Sequence, residues 1–220
     1  MHLLSVNVGR ASPVQNGKLS RQTGIYKFPV PGPTAVMREG LDGDDICDSK
    51  NHGGVDQALY VYGAPDYEWW SKALGRELPP GTFGENLTIS DLVSAHIWIG
   101  DRLHIGTVTL EVTAPRVPCR TLSTRMGDAG FVKRFREAER PGLYCRVIHE
   151  GIVRAGQPVT LERHSGESVS ALEIFRDFYA ASLDEATLRR HLAAPIAIRD
   201  RSAKQAQLTE LLQQDNGRET

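Results

Sequence analysis

No Asp or Glu occurs before Glu39, although Arg10, Lys18, Arg21, Lys27 and Arg38 all fall in that stretch. Residues 39–68 reverse the balance, with eight acids and Lys50 as the one base. From Pro115 to Arg146 the chain is basic again, with eight Lys or Arg against Asp128, Glu137 and Glu139. Two basic segments far apart in sequence can converge on one anionic ligand, or they can be two solvated faces. The missing acids favour an anion site.

Cysteine is also scarce. Three in 220 residues, widely spaced and odd in number, exclude a disulfide framework. No Cys-x-x-Cys pair argues for structural zinc. There is no Gly-x-Gly-x-x-Gly fingerprint and no iron–sulfur cysteine set, so a flavin, a dinucleotide or a cluster of the chain's own is not expected. No apolar run reaches bilayer length, and the N-terminus lacks a basic-then-apolar leader pattern. A reducing, cytoplasmic setting is the expectation, without a membrane partner. Net charge is −1, so nucleic acid is not an expected partner either. Hydrophobic residues at 40% and charged residues at 24% are ordinary for a globular chain, long enough for one full domain and a small second one.

The apolar pattern places strands at Leu3–Val8, Ala58–Tyr62, Asn86–Ser90, Ala95–Ile99, Asp101–Ile105, Thr107–Ala114, Leu143–Ile148 and Val159–Arg163. Residues 9–40 read as strand and loop. Helices are expected at Pro65–Leu74, with Pro65 in the first turn and Gly75 as a stop, and at Phe131–Ala138. Short strands with turns every eight to twelve residues suggest a barrel or sandwich. The fold class is therefore α+β, a β-rich domain over residues 1–163. Beyond the linker-like His164-Ser165-Gly166-Glu167, no glycine appears from Ser168 until Gly217. Ser170–Ala181, Leu183–Ala193 and Ile198–Gln214 have helical periodicity there, giving a small three-helix domain over residues 168–220. No internal repeat is evident.

Cys119 lies in Pro115-Arg116-Val117-Pro118-Cys119-Arg120-Thr121. Flanking arginines favour a thiolate, the form that attacks electrophiles and binds soft metals. Read locally, it can equally be a small buried residue. Cys47 sits in an acidic run that would raise its pKa, and Cys145 lies within a strand pattern and reads as packing. Trp69-Trp70 read as core or interface anchors. Other clusters stand apart. His52-Gly53-Gly54 follows Asn51 and leads into Asp56-Gln57-Ala58. Phe83-Gly84-Glu85-Asn86-Leu87 opens a later strand. Singly, each has a plain structural explanation as a turn.

Taken together and in this order, these segments resemble the MOSC family, named after the C-terminal domain of molybdenum-cofactor sulfurase. Gly142-Leu143-Tyr144 and Gly151-Ile152-Val153-Arg154-Ala155-Gly156 fit the same resemblance. It covers residues 1–163, and the C-terminal helices resemble those of YiiM-like members. The resemblance implies a β-rich, barrel-like domain that binds molybdenum cofactor, with Cys119 as the metal ligand. A soft sulfur donor suits a metal already held by a dithiolene. It implies Thr23 and Lys27 as first choices for the pterin phosphate, with Arg116 and Arg120 as helpers, and Arg10 and Arg21 less favoured. Asn86 matches an asparagine of the cofactor pocket, and His52 and Glu85 would handle protons. The implied activity is reduction of small N-hydroxylated compounds such as 6-hydroxylaminopurine, with electrons from a separate reductase. The alternatives are a carrier of molybdenum cofactor or sulfur acting through Cys119, and a structural domain whose site has decayed. The helices could dock the reductase, cover the site or form a homodimer.

Overall fold

The computed structural model describes residues 1–16, 19–49, 52–167 and 169–216. Lys18, Lys50, Asn51, Ser168 and Gly217 therefore lie outside the described residues. The N-terminal third holds β1 (Leu3–Val8), β2 (Ser12–Asn16), β3 (Leu19–Thr23), β4 (Phe28–Pro29), β5 (Thr34–Met37), β6 (Gly40–Leu41) and β7 (Leu59–Gly63). Helix α1 (Ala64–Leu74) follows, then β8 (Leu87–Ile89), β9 (Arg102–Ile105) and β10 (Val108–Pro115). Two helices, α2 (Arg120–Met126) and α3 (Phe131–Ala138), precede β11 (Leu143–His149), β12 (Gly151–Val153) and β13 (Val159–Glu162). The chain then turns helical, with α4 (Ala171–Asp177), α5 (Glu185–Ala193) and α6 (Ile198–Asn216).

Eight strands form one mixed sheet in the order β13-β9-β10-β11-β7-β8-β1-β4, with β7 and β8 parallel. The sheet curls without closing as a barrel. Among the described residues its two ends meet only near the start of β1, where His2 bridges Pro158 and the Leu3 N–H bonds the Gln157 carbonyl at 2.9 Å. β5, β6 and β12 make a three-stranded sheet, and β2–β3 a separate hairpin.

The central strands are buried on both faces, and their period-two alternation separates two cores. In β7, Leu59 and Val61 enter an aliphatic cluster, while Tyr60 and Tyr62 enter an aromatic one. In β11, Leu143 and Cys145 join the first and Tyr144 the second. Trp70, Phe83, Phe131, Phe135 and Phe175 complete the aromatic side. Full burial of such side chains stabilises by about 1.5–3 kcal/mol each.

Two local expectations are corrected. Ala95–Ile99 is not a ladder strand, since Ser94–His96 form a 3-10 turn. Carboxylates take the donors that a ladder would use. Asp66 accepts from the Ser94 N–H at 3.1 Å and Asp101 from the Trp98 N–H at 3.0 Å. Helix α2, rich in Ser and Thr and so weak in intrinsic propensity, carries no clear sequence signal. Burial of Leu122 and Met126 holds it.

The C-terminal helices pack on the sheet. Ile174, Ala194 and Ile196 belong to the aliphatic core and Phe175 and Ala197 to the aromatic one. Glu173, Asp177 and His191 lie within metal-ligating reach of one another. Arg190 already engages both oxygens of Glu173, so the group acts as a charge clamp between α4 and α5.

Candidate functional site

A cavity of about 1500 Å³ opens on the aromatic side of the sheet. Its lining joins the β2–β3 hairpin, the acidic loop 44–48, the turn at His52, the ends of β7 and β10, the start of α2, and α4 to α6.

Cys119 reaches this cavity from the end of β10, where Pro115 and Pro118 carry the chain into α2. Its carbonyl accepts the Leu122 N–H at 3.0 Å, so the residue is the N-cap of the helix. Burial alone would raise its thiol pKa. The His52 hydrogen bond, the Arg116 guanidinium and the Leu122 N–H outweigh that and hold the thiol at about 6. Of the two flanking arginines, it is Arg116, together with His52, that favours the thiolate. Cys145 is fully buried and its thiol is pushed far up by desolvation. Cys47 is exposed, and slight burial and Asp45 raise it.

His52 is half-buried, with Nδ1 3.0 Å from the Tyr144 hydroxyl. Tyr144 faces Tyr60 across the β7–β11 ladder, and Arg116 lies 4.9 Å over the Tyr60 ring. The Arg116 side chain is buried and donates Nη1 to the Phe83 carbonyl. Its Nε has no hydrogen-bond partner among the described residues. A buried guanidinium whose nearby negative group is a thiolate is a local excess of positive potential once that sulfur is shared with a ligand.

Lys27 differs from expectation. Its ammonium is ion-paired with Asp44, with side-chain exposures of 8% and 3%. Burial lowers the Lys27 pKa and Asp44 opposes this. The same carboxylate accepts from Asn86 Nδ2 at 2.8 Å and from the Gly9 N–H at 2.8 Å. Two expected cofactor residues thus converge on one internal acid, which sequence reasoning missed. The signal lay in the acidic run opposite the acid-free segment. Gly24 permits the crossing, since a Cβ there would sit 1.8 Å from the Asp45 carbonyl oxygen.

Asn86 also accepts the Tyr60 N–H at 3.0 Å, which fixes its side chain at the cavity wall. Thr23 lines the cavity, but its hydroxyl accepts the Ile25 N–H at 3.1 Å. Arg120 and Arg21 line it as exposed cations. Hairpin β2–β3 packs on α2, so the two basic segments do meet. Glu85 is not brought to the cavity lining. It is fully buried behind it, accepting from the Tyr67 hydroxyl at 2.6 Å, the Gly81 N–H at 2.6 Å and the Thr88 hydroxyl at 2.8 Å. Of the two expected proton carriers, only His52 is placed beside Cys119.

A curled, mixed sheet with helices packed against it and a cysteine at the end of a strand defines a β-rich α+β domain with a soft-donor site. Residues 48–160 match the family model described as MOSC domain, and the chain belongs to the MOSC-domain family. It is 33% identical over 168 residues to "Uncharacterized protein YflK" of Bacillus subtilis (strain 168), covering 76% of each chain. It is 31% identical over 184 residues to a protein named "Reductase" from Gibberella moniliformis, covering 79% of this chain and 31% of that one. The crystal structure of YiiM from Geobacillus stearothermophilus superposes with a TM-score of 0.77 at 26% identity, over 94% of this chain and 98% of that one. No helix among the described residues is long and apolar enough to cross a membrane.

Proposed function

We propose that this chain is a molybdenum-cofactor oxidoreductase of the cytoplasm, reducing small N-hydroxylated compounds such as 6-hydroxylaminopurine with electrons from a separate reductase. The observation that carries this reading is the Cys119 thiol, held at about 6 by His52 and Arg116 on a large cavity. Membership of the MOSC family and the name of the fungal relative support it. In this reading residues 1–163 carry the cofactor site and residues 168–220 form an appended helical domain.

The donor set fits the cofactor. A thiolate is the soft ligand that molybdenum accepts beside dithiolene sulfurs. The partnerless Nε of buried Arg116 is a donor for an anionic group. Exposed Arg120 and Arg21 offer further donors for a phosphate, and Thr23 and Asn86 also line the cavity. Lys27 contributes only in so far as Asp44 releases it. When bound, the cofactor supplies the two-electron redox change that removes oxygen from the N–OH group, with two protons consumed and water released. The protein binds the substrate, limits water and moves protons. His52 bridges Cys119 and the Tyr144 hydroxyl, and it is the residue placed to pass a proton toward a leaving oxygen.

The test is metal content and turnover together. Protein made in a host that synthesises molybdenum cofactor should copurify with molybdenum and pterin and reduce 6-hydroxylaminopurine when a reductase is supplied. Cys119→Ala should keep its fold and lose both metal and activity. A variant that kept full activity would end this reading. A transferable persulfide on Cys119 with no reductase activity would favour the carrier instead.

A further inference from the structure

The wall of the cavity opposite the sheet belongs to the C-terminal helices, with Ile174, Phe178, Leu188, Arg199 and Lys204 along it. Phe178 leaves 61% of its surface open and stands edge-on to Tyr179, with 5.1 Å between centroids. An open aromatic ring within a cavity is a surface for a flat apolar group. Arg199 and Lys204 lie on the same first turns of α6 and add polar edges.

One side chain places α6. Asp56 follows His52 by one short turn, the 3-10 segment Val55–Gln57. Its Oδ2 accepts the Ile198 N–H at 2.7 Å, at the first residue of α6. Arg146 Nε lies 3.1 Å from Asp56 Oδ1, an ion pair rather than an aligned hydrogen bond. Arg146 also donates Nη2 to the Pro195 and Ile196 carbonyls at 3.1 and 3.3 Å. Thr113 closes the knot from β10. Its hydroxyl donates to the Asp56 carbonyl at 2.5 Å, and its own carbonyl accepts the Ala197 N–H at 3.1 Å. The turn beyond His52, the strand leading to Cys119 and the start of α6 are thereby bonded to one another.

We propose that α4 to α6 form the substrate subsite of this cavity, with Phe178 the face for a planar heteroaromatic ring, and that Asp56 is the positioning residue fixing that wall relative to Cys119. The substrate part rests on the reductase reading above, whereas the wall can be tested without turnover.

The first experiment measures labelling of Cys119 in the cofactor-free full chain, in a Cys47→Ser background that removes the exposed thiol. Two reagents are compared, iodoacetamide and the bulkier fluorescein maleimide. Asp56→Ala should raise the maleimide rate about tenfold relative to iodoacetamide, because the Ile198 N–H and Arg146 lose their shared partner and the start of α6 is freed. Phe178→Ala, at an open position that does not threaten folding, should move the ratio the same way. An unchanged ratio in both variants, or equal acceleration of both reagents, overturns the wall. The second experiment uses the loaded enzyme. Both variants should raise KM for 6-hydroxylaminopurine by about tenfold more than they change kcat, and by more than they raise KM for hydroxylamine. Equal effects on the two substrates overturn the subsite. A wild type that reduces neither sinks the reductase reading, and the labelling ratio still decides the wall.

Discussion

Lys27 and Asp44 form a buried ion pair in the cavity wall, and Asn86 and the Gly9 N–H bind the same carboxylate. The pair couples the acid-free N-terminal segment to the acidic loop, so part of the local charge imbalance is settled within the chain. Removing one partner leaves a buried charge uncompensated. Asp44→Asn should therefore cost about 3–5 kcal/mol, read as a lower urea midpoint. Adding Lys27→Met should recover much of that loss, and additive effects of the two changes would show that the pair is not coupled.

Cys119 supplies a pH dependence. In the cofactor-free protein its alkylation rate should rise with pH through about 6 and level off above it, as mass spectrometry of the labelled peptide can follow. His52→Ala should shift that midpoint upward, since the His52 hydrogen bond lowers the thiol pKa. Stability follows the same linkage. A depressed folded pKa stabilises fully above the unfolded value of about 8.5 and contributes nothing below the folded one. The advantage of wild type over Cys119→Ser should thus shrink as pH falls from about 8.5 to about 6. A constant difference across that range would contradict the thiolate.

Glu85 predicts the opposite slope. Burial raises its pKa, and its hydrogen bonds only partly offset this. A raised carboxyl pKa favours folding below the unfolded value of about 4.3, and that contribution is lost as pH rises through the folded pKa. Glu85→Gln should be most destabilised relative to wild type near pH 4, with the gap narrowing toward neutrality in urea titrations. A gap that widened with pH would show that the ionised form is the one the fold stabilises.

Gly24 tests how tightly the acidic loop is seated. An added methyl would meet the Asp45 carbonyl at 1.8 Å, so the loop must move. Gly24→Ala should lower stability by roughly 1–3 kcal/mol, and Cys47, carried on that loop, should change its labelling rate. Unaltered Cys47 labelling would mean that the loop absorbs the methyl without shifting.

Elements with a strong period were legible in sequence. Leu3–Val8 and Phe131–Ala138 fall where expected, and α1 begins one residue earlier, at Ala64. Where side chains intercept backbone donors, the pattern misleads, as Asp66 and Asp101 do around Ser94 and Trp98. The site was legible where it rests on a motif. His52, Asn86, Arg116 and Cys119 share one cavity, but nothing local to Glu85 announces that its carboxylate turns inward to Tyr67. Asp44 and Tyr144 escaped because their parts depend on long-range pairing, across 17 residues to Lys27 and 92 to His52. The tie from Asp56 to Ile198 spans 142 residues and has no local trace at all.

The cavity draws its lining from Val14 through to Gln214. A fragment lacking the β2–β3 hairpin or α6 lacks part of this lining, and a growing polypeptide cannot complete the cavity until α6 has been made. Enclosure therefore waits on the final assembly of α6 against the sheet, and removing α6 should release what the cavity holds.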